Sequence, residues 1–115
     1  MALKITDRVV EGVTVEALEG RIVLGEESTA LREKVKSLLA AGQKKIVFNM
    51  DNVTYIDSSG LGALVAAHTS AATQGAALKL CNLGSKFREI LQVTKLVTVF
   101  DAYATEAEAI QSFPK

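Results

Sequence analysis

Asp57, Ser58 and Ser59 stand in a row, followed at once by Gly60-Leu61-Gly62. A carboxylate beside two hydroxyls suits one of two chemistries: a serine that attacks a substrate, or a serine that is itself modified. Attack needs a base, and the sole histidine, His68, lies further along the same expected helix, about 15 Å of rise from Ser58, so the two cannot share a proton. Neither serine has a glycine two residues before it, as a nucleophile elbow requires. Gly60-Leu61-Gly62 lacks the third glycine of a dinucleotide fingerprint, and in Gly84-Ser85-Lys86 no glycine-rich run precedes a Lys-Ser/Thr pair, as it must in a P-loop. One histidine and one cysteine make no metal cluster. The chain is therefore expected to be no enzyme, with no catalytic residues, no metal and no cofactor.

Modification of a serine fits the local physics better. Short side chains such as Asp57, Ser58 and Ser59 are those that cap a helix, by accepting amide protons left free in its first turn. The positive end of the helix dipole favours an added negative charge, so a hydroxyl there is a natural seat for a phosphate. Gly60 and Gly62 each cost a helix interior roughly 1 kcal/mol relative to Ala, which close approach by another backbone or by a partner surface would explain. Taken by themselves, the same residues are first of all a plain structural cap.

The elements that must hold this stretch can be read from periodicity. Leu3, Ile5 and Val9 alternate with polar residues, Glu11-Gly12 supplies a turn, and Val13, Val15 and Ala17 repeat the alternation. After Gly20 a third short strand is expected to carry Ile22 and Leu24. Leu31, Val35, Leu38 and Leu39 form the stripe of a first helix that Gly42 ends. The apolar run Ile46-Val47-Phe48 predicts a central strand buried on both faces. A second helix, from about Ser58 to Thr73, sets Leu61, Leu64, Val65 and His68 on a packing face and Gly60, Ala63, Ala67 and Ser70 on a small, smooth one. Gly75 closes it and residues 77–81 form the next strand, paired in parallel through the helical crossover. A third helix begins at Gly84-Ser85 with Phe87, Ile90 and Leu91, an edge strand is expected from Val97 to Phe100, and Thr105 with Glu108 has capping-box spacing before Ile110 and Phe113. The fold class is α/β: one domain over residues 1–115, with a mixed sheet, antiparallel near its N-terminus and parallel at its centre, and about four helices.

Composition limits the partners. The chain has 115 residues, 49% of them apolar, with 13 basic and 13 acidic residues that cancel. No basic field draws in nucleic acid or an acidic membrane surface, and no apolar run reaches the roughly 20 residues of a membrane span. A cytoplasmic protein is expected. Cys81 among Leu78, Leu80 and Leu83 reads as a small buried residue rather than a reactive thiol.

The run Asp57-Ser58-Ser59-Gly60-Leu61-Gly62, preceded by Val53-x-Tyr55-Ile56, resembles the signature of the STAS domain family, of the anti-sigma factor antagonist type. Gly20-Arg21-Ile22, Ile46 to Met50, Leu78-Lys79-Leu80 and Leu91-x-x-Thr94-x-Leu96 extend the resemblance over nearly the whole chain. It implies a bacterial protein whose unphosphorylated form binds an anti-sigma factor that is also a serine kinase, freeing a sigma factor for transcription. The serine directly after the aspartate, here Ser58, would be the phosphorylated residue, and Asp57, Ser58, Ser59, Gly60, Leu61 and Gly62 the partner-binding surface. One departure stands out: many members carry an acidic residue near the end of the strand that starts Gly-x-Leu, where this chain has Val23, and Glu26 or Glu27 would have to replace it. Two other readings stay open, a STAS interaction module of a chemotaxis, stress-signalling or lipid-transport complex, and a nucleotide-binding protein. A homo-oligomer is compatible with each and required by none.

Overall fold

The computed structural model describes residues 3–95 and 99–113. The chain opens with a hairpin, β1 (Leu3–Val10) and β2 (Val13–Ile22), joined through Glu11 and Gly12. Both turn residues have positive φ, 51° and 80°, the backbone twist that a two-residue hairpin turn needs. Then follow α1 (Glu26–Ala40), β3 (Lys45–Ile56), α2 (Ser58–Thr73), β4 (Ala77–Cys81), α3 (Ser85–Val93), β5 (Asp101–Tyr103) and α4 (Glu106–Gln111). The sheet runs β1-β2-β3-β4-β5, with β1 antiparallel to β2 and every later pairing parallel. This is the mixed sheet with four helices that the periodicities predict.

β3 is central because it is the strand least able to face water: Ile46, Val47 and Phe48 are all fully buried. Successive side chains point to opposite faces. Ile46 and Phe48 enter the larger core under α1, α2 and α3, with Leu18, Ile22, Leu31, Val35, Leu64 and Leu91. Val47 joins Val13, Val15 and Cys81 in a smaller core closed by Ala109, Ile110 and Phe113 of the α4 region. Cys81 is buried, and burial pushes its thiol up to about 11, so it stays protonated and inert. His68 packs edge-to-face on Phe100, ring centroids 5.5 Å apart, as a boundary residue. Among the described residues no helix is long and apolar enough to cross a membrane.

Helix ends follow their expected chemistry. Gly42 and Gly75 take φ of 83° and 75°, which lets the chain turn back and donate amide protons to Leu39 and Ala72. Thr105 Oγ1 accepts from the Glu108 amide at 3.2 Å, the forward half of the capping box.

Three expectations are corrected. No third strand separates from β2, which runs unbroken to Ile22, and Leu24 is not inward-facing but 74% exposed. Of the edge strand expected from Val97 to Phe100, residues 97–98 lie outside the described residues and Val99 and Phe100 are not in a strand; the last strand among the described residues is Asp101–Tyr103. On α2 the small-residue face is the buried one: Gly60, Ala63, Ala67 and Ala71 are buried with Leu64, whereas Leu61, Val65 and His68 are half-buried. Small residues bring α2 close to the strands and to α1, a gain in packing that Leu61 and Val65 would prevent.

One carboxyl group is fully buried on β2. Glu16 of β2 is fully buried, opposite Asp7 of β1, with Lys34 Nζ of α1 at 3.8 Å. Neither carboxyl oxygen has a hydrogen-bond partner among the described residues. Burial, reinforced by the neighbouring Asp7, pushes this carboxyl up to about 8.

Candidate functional site

The handover from β3 to α2 is built around Asp57. Its extended backbone, φ −96° and ψ −177°, ends the strand, while its carbonyl already accepts the Leu61 amide at 2.9 Å and starts the helix. Oδ1 accepts from the Gly60 amide at 2.7 Å, and Oδ2 accepts from the Leu24 amide at 3.0 Å in the loop after β2. The Asp57 amide in turn donates to the Ile22 carbonyl at 3.3 Å. One aspartate thus caps α2 and ties the β2–α1 loop to it. The amides of Gly60 and Leu24 hold this carboxyl below the ordinary carboxylate range, so it is ionised at neutral pH.

Ser58 is the first residue of α2 and is exposed, and among the described residues its hydroxyl has no hydrogen-bond partner. Ser59 is half-buried. The two glycines serve different purposes. A Cβ built on Gly60 would lie 1.9 Å from the Ile22 carbonyl oxygen, so only glycine lets α2 settle against the end of β2. Gly60 is buried and its contribution to any docking surface is to set the depth at which Ser58 stands. Around Gly62 a Cβ would meet nothing within 4 Å, and the residue faces solvent. No packing contact within the chain accounts for it. Leu61 is half-buried beside it.

Leu24 belongs to this site and was misassigned by periodicity. The hydrogen bond its amide donates to Asp57 Oδ2 places it against the helix start, and it presents a large apolar side chain to water. β2 has already ended at Ile22, and Gly25 follows Leu24 with φ 105° and ψ −137°, a conformation open mainly to glycine, which turns the chain into α1. The Gly at that point was the available signal. Tyr55, two residues before Asp57, is 57% exposed at the end of β3. Val23, which occupies the place of the expected acidic residue, works through its backbone: its carbonyl accepts the Ser28 amide at 3.1 Å and Ser28 Oγ at 2.6 Å, holding the first turn of α1. Glu26 is exposed and Glu27 half-buried in that turn.

The geometry offers one exposed hydroxyl at the positive end of a helix, flanked by an apolar side chain and a bare glycine. Among the described residues no group of three or more His, Cys, Asp or Glu is placed to hold a metal ion. The STAS domain profile matches residues 4–109. Over 81 residues, 70% of this chain and 73% of the relative, the chain is 33% identical to the anti-sigma-B factor antagonist of Bacillus subtilis. An anti-sigma factor antagonist from Mycobacterium paratuberculosis has a similar fold, with TM-score 0.82 and 20% identity, over 96% of this chain and 93% of that one. Bacillus SpoIIAA in its phosphorylated form superposes with TM-score 0.71 and 23% identity, covering 96% of this chain and 97% of its own. Signature, topology and relatives agree, and the chain belongs to the STAS domain family.

Proposed function

We propose that this chain is an anti-sigma factor antagonist whose binding is switched off by phosphorylation of Ser58. The observation that carries the reading is the position of Ser58: directly after the capping aspartate, first in α2, exposed and with its hydroxyl unbonded. The name of the Bacillus subtilis relative and the phosphorylated state of SpoIIAA support it. The partner is an anti-sigma factor with serine kinase activity, which the unmodified form binds so that a sigma factor goes free. The protein acts in the cytoplasm, where that partner and the sigma factor are.

The switch follows from two opposing effects of one charge. A phosphate of about −1.5 to −2 at a helix N-terminus is favourable within the protein by roughly 0.3–1 kcal/mol, so modification leaves the fold intact. At an interface the same charge must be desolvated, and a net penalty of about 3 kcal/mol weakens binding roughly 150-fold. The interface term is the larger, so the phosphorylated form is released. Incubation with the cognate kinase and ATP, followed by mass spectrometry of the peptide that contains residues 57–62, tests this. A phosphate on Ser58 is expected; a phosphate on Ser59 with Ser58 bare defeats the assignment.

A further inference from the structure

β3 outruns its neighbour. It pairs with β2 up to Ile56, but with β4 only as far as Asn49, opposite Cys81. Beyond that point the chain after β4 leaves the sheet towards α3, so residues 50–56 have no strand partner on the β4 side; the Asp51 amide donates to Asn49 Oδ1 at 3.0 Å, which leaves 52–56 as the open part of the edge. A strand edge of this kind presents unpaired N–H and C=O groups, a template for one more strand.

The edge borders an apolar trough. Between it and α3 lies a cavity of about 180 Å³ lined by Val53, Tyr55, Ile56, Phe87 and Ile90, with Lys86 as the charged residue. It continues along α3 as an open groove of about 430 Å³ that shares Lys86 and Ile90, carries Glu89 one turn beyond Lys86, and reaches Val93, which is 76% exposed. Lys86 has no ion-pair partner among the described residues.

Size and shape decide the kind of occupant. The enclosed part falls below the roughly 300–1,000 Å³ of ordinary small-molecule sites, yet it takes one large apolar side chain. An elongated groove beside unpaired backbone calls for an extended chain. We infer that the free edge of β3 and the trough beside α3 form a strand-addition site for an extended segment of a partner protein. The segment pairs its backbone with residues 52–56, inserts an apolar side chain among Val53, Phe87 and Ile90, and sets a carboxylate against Lys86. Backbone pairing supplies the affinity, and the trough and the cation supply the choice of sequence. This surface adjoins the Ser58 end of α2 through Tyr55 and Ile56, but the inference does not depend on the proposed switch.

Phage displaying random peptides, selected on the immobilised full chain, provide the probe. Enriched peptides are expected to combine an apolar residue with a nearby Asp or Glu, and a synthetic copy should slow amide hydrogen exchange within residues 52–56. Lys86→Glu, at an exposed position and with its fold checked by circular dichroism, should weaken that peptide by about tenfold or more. Exchanging the peptide's acid for Lys should restore binding to this variant. Failure to enrich any peptide, protection confined to other residues, indifference to Lys86→Glu, or pairing of the same edge with a second copy of the chain would each overturn the inference.

Discussion

The carbonyl oxygen of Ile22 occupies the place where a side chain on Gly60 would begin, 1.9 Å from the position of its Cβ. The end of β2 and the first turn of α2 are therefore in backbone contact, and the height of Ser58 above the sheet depends on it. Gly60→Ala must push a backbone atom aside, because no flexible side chain is there to yield. Overpacking of this kind costs about 1–3 kcal/mol or more. Gly62→Ala meets open space in the same helix and should raise stability by roughly 0.5–1 kcal/mol. Urea denaturation of both variants checks the pair, and a shift of the same sign in both would contradict the assignment.

Leu24 and Gly62 lie on the exposed side of the helix start and should matter to docking rather than to folding. Leu24→Asp removes an apolar side chain that is 74% exposed, so the melting temperature should change little. Binding to the anti-sigma factor should weaken by about tenfold or more if the leucine fills a pocket there. Gly62→Leu should likewise fold and bind less well, since the added bulk has nowhere to go but into the partner. Calorimetric titration measures both. Unchanged affinity in both variants would move the docking surface elsewhere.

Ser58→Ala and Ser58→Asp separate the two effects of charge. The aspartate variant should hold or slightly raise the melting temperature, because the helix end favours a negative group. It should bind the kinase more weakly than wild type, while Ser58→Ala binds and is not released by ATP. Only the direction is expected of the mimic, whose charge is smaller than that of a phosphate. Equal affinities in three folded proteins would reduce this helix end to a cap.

Glu16 gives a pH dependence with a definite sign. Its carboxyl, near 4.5 when exposed, is raised to about 8 in the folded protein by burial and the neighbouring Asp7. Between those values the folded state binds the extra proton, so stability falls as pH rises from about 4.5 to about 8, and above that the full cost of a buried carboxylate remains. Glu16→Gln keeps the shape without the titration. Its melting temperature should match wild type near pH 4.5, exceed it above pH 8, and lack the decline between. Melting curves of the two proteins across this range decide the matter. Asp57 acts with the opposite sign: its carboxyl is depressed by the Gly60 and Leu24 amides, so its contribution is present at neutral pH and lost as acid protonates it.

Much of this architecture is decided by interactions close in sequence. The handover at Asp57, the turn at Glu11-Gly12, the glycine stops at 42 and 75 and the cap at Thr105 each depend on a backbone group within a few residues, so spacing alone reveals them. The central place of Ile46-Val47-Phe48 is equally plain, since a continuous apolar run has no face to give to water. The STAS signature lies in one such local stretch, which is why a candidate site could be named from the sequence.

Which side of an element faces a neighbour is a different matter, because the neighbour comes from far along the chain. Gly60 and Gly62 look alike in sequence; the approach of Ile22, brought up by β2–β3 pairing, makes one a requirement of packing and leaves the other bare. Leu24 continues an alternation on paper, yet its amide is claimed by Asp57 and its side chain left in water. Glu16 reads as the polar partner of Val15 in an alternating strand, until α1 folds over that face and seals it in. Local hydrogen bonding and apolar periodicity set the elements and the position of Ser58; long-range packing alone decided what surrounds it.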